Sequence, residues 1–337
     1  MRCECSVSED WDCLNLDVAW TEMEKKLTIA GLFAGVGGIE RGFKSAGFTP
    51  VLSNEIDKSA SITFRSNNSH PLIEGDIHDL SHKEFPQGLT VLAGGFPCQP
   101  FSVAGYRKGF EDDRGNVFWQ IHRIYNKVKP EVIFLENVKN LKNHDNGKTY
   151  NVIEEALRDS GYHVRSSVLN AKDYSQVPQN RERIYILAFK SKAAAENFEF
   201  PKKLEKSSSI EGFLDFDTKV DDKFYYTSKT PFFSELKKQV TERGKIYQWR
   251  RQYVRENKSG VSPTLTANMG MGGHNVPIIL TTHGIRKLTP NECFRLMGFE
   301  KFNLPEGMTQ SQLYKQAGNS VVVPVIKRLA QQIKKVI

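Results

Sequence analysis

The sequence predicts an α/β fold: a doubly wound, mostly parallel sheet joined to a smaller, irregular domain. Three observations carry this expectation. Between residues 26 and 190, short apolar runs alternate with helical patterns, as successive strand–helix units do. The first run leads straight into a glycine-rich turn, Phe33-Ala34-Gly35-Val36-Gly37-Gly38, that opens a helix. Beyond residue 190 the alternation stops, and a lysine- and serine-rich stretch over 202–209 reads as a linker. The expected organisation is a poorly ordered leader over 1–24, a main domain over 25–205 completed by 311–337, and a smaller domain with its hinge over 206–310.

Taken in order, residues 27–33, 51–54, 90–93 and 132–135 read as strands buried on both faces, because each is a nearly continuous apolar run. Ile39, Gly42, Phe43 and Ala46 share one face of a helix that Gly47 is placed to end. Val152, Ile153, Ala156 and Leu157 repeat that pattern before Gly161. Thr289-Pro290-Asn291-Glu292 is a capping box with proline at the first helical position, closed by Gly298. Residues 321–337 read as an amphipathic helix able to return to the first domain. In a doubly wound sheet, ligands bind at the carboxyl ends of the strands, so chemistry is sought there.

Composition narrows the classes. No apolar run is long enough to span a membrane, and residues 1–26 lack the pattern of a signal peptide. Five cysteines at irregular spacing argue against a disulfide framework and for a reduced, cytoplasmic protein. Cys3, Cys5 and Cys13 have no nearby histidine to complete a ligand set, so no metal is expected. The net charge of +8 suits a polyanionic partner without requiring one. Nearly all of that excess lies between Lys223 and Lys258, interleaved with Phe224, Tyr225, Tyr226, Tyr247, Trp249 and Tyr253. Two readings stay open for this stretch: a solvated basic face over a small aromatic core, or a surface that grips phosphates and reads bases.

Several motifs sit where a site is expected. The glycine-rich turn lets backbone approach a nucleotide-like ligand, although Glu40 stands where a dinucleotide fingerprint has its third glycine. Glu55 and Asp76 end or follow strands, where carboxylates hold ribose hydroxyls or accept from an adenine amino group, or are simply solvated. Gly94-Gly95-Phe96-Pro97-Cys98-Gln99-Pro100 places a cysteine between two prolines after a buried strand, the setting of a positioned nucleophile. Glu136, in Glu136-Asn137-Val138, brings a candidate general acid to the same sheet edge. In residues 179–185, strand alternation puts Gln179, Arg181, Arg183 and Tyr185 on one side. Those arginines suit an anionic or carbonyl-rich target, or an ion-pair ladder with Glu182.

In this order, with a late Gly318-Asn319-Ser320, the motifs resemble those of the DNA cytosine-5 methyltransferase family, above all its compact bacterial members from restriction–modification systems. The resemblance runs from about residue 25 to the end. It implies the fold of S-adenosylmethionine-dependent methyltransferases, with S-adenosylmethionine as cofactor and a cytosine flipped out of double-stranded DNA as substrate. It implies Cys98 as nucleophile, Glu136 as the acid at cytosine N3, and Arg183, supported by Arg181, at the base. The implied cofactor site comprises Phe33, Gly35, Gly37, Gly38, Glu55, Ile56, Asp76, Ile77, Pro97, Asn319 and Ser320. The implied DNA contacts are Gln99, Ser102, Arg250, Arg251, Arg255 and Thr264, with 206–310 as the recognition domain. A monomer, functionally paired with a restriction endonuclease, and a short G+C-rich palindrome of the GGNCC kind are further expectations. The chain departs from some relatives at Ile56, where they carry tryptophan, and at Ala104, where they carry a polar residue. An RNA cytosine methyltransferase, a non-catalytic DNA-binding module and a nicotinamide-dependent dehydrogenase are the rival readings. The last is disfavoured by Glu40 and the Pro-Cys loop.

Overall fold

The computed structural model describes residues 25–97, 117–205, 209–250, 252–270 and 276–337. The leader, Cys98, Gln99, Ser102, Ala104, Arg251 and the loop around 101–115 lie outside these described residues.

The first strand, β1 (Thr28–Leu32), passes through the glycine-rich turn into α1 (Gly38–Lys44). Strand β2 (Thr49–Glu55) leads to α2 (Lys58–Arg65), whose N-terminus is capped by the Asp57 carboxylate accepting from the Ser59 and Ala60 amides. A short β3 (Leu72–Glu74) precedes β4 (Val91–Gly95), α3 (Val117–Val128), β5 (Val132–Val138), α4 (Lys148–Asp159), β6 (His163–Asn170), β7 (Glu182–Phe189) and α5 (Lys192–Asn197). The sheet order is β3-β2-β1-β4-β5-β7-β6. All of these pairings are parallel except those of β7, which runs antiparallel to both β5 and β6. The chain winds outward in one direction from β1 and in the other from β4. A crevice therefore opens between their carboxyl ends.

Strand alternation divides the core into two layers. Val132 and Phe134 of β5 join Ile29, Val91, Phe43 and Leu187 on one face, whereas Ile133 and Leu135 join Leu92, Phe118, Ile121, Ile153 and Leu157 on the other. The last helix, α9 (Val323–Lys334), returns as expected and buries Ile326, Leu329, Ala330 and Ile333 in the first layer beside α1. Residues 202–204 do not form a free linker. Leu204 donates to the Asp173 carbonyl and Arg328 donates to that of Lys202, which fixes the stretch to the main body.

The intervening chain adds α6 (Phe233–Gln239) and a small antiparallel sheet built from β8 (Tyr247–Arg250), β9 (Tyr253–Glu256), β10 (Pro277–Thr281) and β11 (Gly284–Lys287). Its order is β11-β10-β8-β9. Then α7 (Pro290–Arg295), with the expected capping box, and α8 (Gln310–Asn319) lead to α9. Arg286 and Glu292 form a salt bridge with both side chains fully buried, and Glu292 also takes the amides of Asp215 and Thr289.

Most aromatics of the basic stretch are core rather than surface. Tyr247 is buried with Leu236, Ile278 and Ile285, Trp249 stacks on Phe232 with ring centroids 4.5 Å apart, and Phe224 belongs to the main core. Apolar burial claims these rings. Only Tyr253 among the six stands as an exposed large hydrophobic.

Candidate active site

A cavity of about 320 Å³ opens at the crevice between β1 and β4. Its floor is the glycine-rich turn. Phe33 takes a left-handed backbone (φ 55°), unfavourable for a bulky residue, and Gly35 (φ 56°) follows in the same region. Such backbone persists where the surrounding structure holds it, and here Glu55 does so. Its Oε2 accepts from the Gly35 amide and its Oε1 from the Asp57 amide, both at 2.7 Å. Each oxygen retains a lone pair for a ligand hydroxyl.

The reactive end lies across β4, β5 and β7. Glu136 ends the apolar part of β5 and is only 8% exposed. Arg183, diagonal to it on β7, brings Nε within 3.1 Å of Glu136 Oε1. Burial pushes the Glu136 carboxyl upward in pKa, and Arg183 and Arg181 oppose that shift. Asn137 donates to the Phe96 carbonyl at 2.9 Å and so fixes the chain just before Pro97. Pro97 lines the cavity. Cys293 is no rival nucleophile, because it is fully buried and burial pushes its thiol far up.

Gln179 and Arg181 precede β7 instead of continuing its alternation, and both are buried. Arg181 donates to the carbonyls of Leu265 (2.8 Å), Gly318 (3.1 Å) and Ser320 (2.6 Å). Gln179 donates to Leu296 and accepts from the Leu265 amide. The surface ladder with Glu182 does not form, since Glu182 pairs with Lys139. Arg181 is thus a pin joining three segments. At the same junction, a Cβ on Gly318 would stand 2.2 Å from Thr266 backbone, so only glycine fits.

The cavity gathers Phe33, Gly35, Gly38, Glu55, Pro97, Glu136, Arg181, Arg183, Asn319 and Ser320. Gly37, Ile56, Asp76, Ile77, Thr264, Arg250 and Arg255 are not among its lining residues. Ile56 is exposed beside Glu55, Ile77 is core, and Asp76 is engaged by His78 at 2.6 Å. Thr264 donates to the Asn180 carbonyl at 2.6 Å, and so braces the seam beside Arg181. Sequence reasoning missed Asp57 and Lys315, which pair at 2.6 Å across the cavity rim. The spacing of Lys315 one helical turn before Asn319 was the available signal. Among the described residues no His, Cys, Asp and Glu cluster could hold a metal.

A floor of free backbone, a carboxylate with spare lone pairs and a rim of mixed charge suit a nucleoside ligand bearing an amino-acid zwitterion. The chain matches the family model described as C-5 cytosine-specific DNA methylase over residues 27–335.

The chain belongs to the C-5 cytosine-specific DNA methylase family.

Among relatives of this methylase, the type II methyltransferase M.Bsp6I of Bacillus sp. (strain RFL6) is 56% identical over 313 residues, covering 92% of this chain and 99% of that one. The type II methyltransferase M.HhaI of Haemophilus parahaemolyticus is 38% identical, covering 92% and 96%. The methylase fold is also that of a Spodoptera frugiperda DNMT2 variant, with a TM-score of 0.70 at 21% identity over 92% of this chain and all of that one. Entamoeba histolytica methyltransferase EhMeth has a TM-score of 0.70 at 20% identity, covering 93% and 99%. Among the described residues, no helix of the methylase is long and apolar enough to cross a membrane.

Proposed function

We propose that this DNA cytosine-5 methyltransferase transfers a methyl group from S-adenosylmethionine to a cytosine flipped out of a short duplex site, as the modifying partner of a restriction endonuclease. The single observation that carries the reading is the buried Glu136–Arg183 pair, which shares one cavity with Pro97, Glu55 and Asn319. The likeness to type II methyltransferases supports the restriction–modification role.

Glu55 and the turn from Phe33 to Gly38 would hold the nucleoside of the cofactor, with Asn319 and Ser320 closing the opposite wall. Bound there, S-adenosylmethionine supplies an electrophilic methyl group. Cys98 adds as thiolate to cytosine C6, and Glu136, its carboxyl raised by burial, gives a proton to N3. The ring electrons thereby concentrate at C5, the position that accepts the methyl group. Arg183 orients both Glu136 and the base, while Arg181 keeps the two walls in register. A base takes up the C5 proton and the Cys98 thiolate leaves. Glu136 recovers the proton from N3 and the ring is restored, with S-adenosylhomocysteine left as the neutral thioether product. Residues 25–205 and 311–337 would form the catalytic unit, and 206–310 the recognition unit and hinge.

Fluorine at C5 cannot leave as a cation, so duplex DNA carrying 5-fluorocytosine at the target should trap the protein covalently when S-adenosylmethionine is present. Cys98→Ser should abolish the denaturation-resistant complex, and Glu136→Gln should slow its formation by about 100-fold or more. Mass spectrometry that places the adduct on another residue would refute the mechanism.

A further inference from the structure

The small sheet has two unlike faces. Register pairs Gln248 with Arg255 and Arg250 with Tyr253, so these four side chains share one face. The opposite face carries Tyr247, Trp249 and Val254, which pack with Ile278, Ile285 and Leu236. On β10 and β11 the first face bears Ile279 and Arg286, both buried against the main body. Followed outward through β8 to the edge strand β9, that face leaves the core and becomes polar. Tyr253 is 58% exposed there, and Arg255 is exposed beside it.

The charge of the basic stretch is divided in the same way. Lys223 is paired with Asp221, Arg243 with Asp217, and Lys245 with both Glu242 and Glu256. Arg250 and Arg255 have no carboxylate partner among the described residues. Arg250 donates to Gln248 Oε1 at 3.3 Å, while its Nε is buried without a partner. The chain leaving β9 runs directly to Ser262, whose backbone bonds to Pro178 and Asn180 beside the Arg181 pin. The polar face is thereby tethered to the wall of the catalytic cavity.

We propose that this face of the β8–β9 hairpin reads guanine in the major groove of the target duplex, Arg250 and Arg255 each donating to the O6 and N7 of one guanine. The proposal rests on the DNA methyltransferase reading and names what its recognition surface sees. A guanidinium free of carboxylates, bonded in the case of Arg250 to the neighbouring Gln248 amide, matches the two adjacent acceptors that guanine alone presents there. Phosphate contact would need only charge, and the exposed Lys258 beyond the hairpin serves as that control.

Bisulfite sequencing of DNA methylated by the intact protein defines the site, and binding is then measured by fluorescence anisotropy with S-adenosylhomocysteine present. Each guanine is replaced in turn by 7-deazaguanine, which lacks the N7 acceptor. One replacement should weaken the wild-type protein about 10- to 100-fold yet leave Arg255→Gln no weaker than that variant already is. A second guanine should behave likewise with Arg250→Gln. Lys258→Met should lose affinity evenly across all duplexes and keep every 7-deazaguanine penalty. Penalties that multiply at every guanine in both arginine variants, or a site without guanine, overturn the proposal and leave the methyltransferase reading standing. A wild-type protein that methylates no cytosine sinks both.

Discussion

Glu40 shows how a residue that excludes one reading in the sequence carries a second meaning in the structure. It stands where a dinucleotide fingerprint has glycine, and the structure buries it to 1% exposure under the glycine-rich turn. Its Oε1 accepts from Ser53 at 2.8 Å, its Oε2 has no partner, and Gly31 must lack a side chain because a Cβ there would overlap the carboxyl. Burial above all raises its pKa to about 7, its hydrogen bonds oppose the shift, and the charge of Glu55 adds to it. The folded state therefore binds this proton more tightly than the unfolded chain does. Stability present below the unfolded pKa is lost as pH rises through 7. Glu40→Gln should accordingly stabilise the protein at pH 8 by up to about 3 kcal/mol and change little at pH 5. Urea titrations at the two pH values measure this, and an equal effect at both would refute the assignment. Two of the proposed site residues were easier to read. Glu136 and Glu55 stand at the ends of apolar runs, where strand direction alone brings them to one edge. Asp57 and Lys315 were hidden because their meeting spans 258 residues and depends on how the last helices return.

At the scale of elements, legibility followed burial. Strands β1, β2, β4 and β5 announce themselves as apolar runs, whereas β3 is three residues long and β6 is largely half-buried, so neither leaves a clear pattern. The basic stretch was only partly legible for a related reason: composition counts charges but does not reveal that Lys245 lies between two glutamates. The junction of β11 with α7 deserves a direct test, since Arg286 and Glu292 neutralise each other in a site closed to solvent. Removing one partner strands the other. Glu292→Leu should therefore cost about 3–5 kcal/mol, while the double change with Arg286→Met should recover much of that loss. Chemical unfolding of the three variants decides it, and a double variant no better than the worse single one would count against the pair as an isolated unit.

At the scale of the whole molecule, three distant segments meet at Arg181: its own, that of Leu265, and the end of α8 with Gly318 and Ser320. Helix α9 secures that junction from behind by packing on α1. Ile326→Ala should thus lower stability by about 2–5 kcal/mol, with the lost contacts felt across the first core layer. A cost below 1 kcal/mol in urea unfolding would show that α9 is peripheral. The return of the chain also has a consequence in time. All seven strands of the main sheet are synthesised before residues 315–321, yet those residues form one wall of the cavity. A chain still emerging from the ribosome can pair its strands and bury much of its core while its ligand pocket stands open on one side. The pocket is complete, and methyl transfer becomes possible, only once α8 has docked.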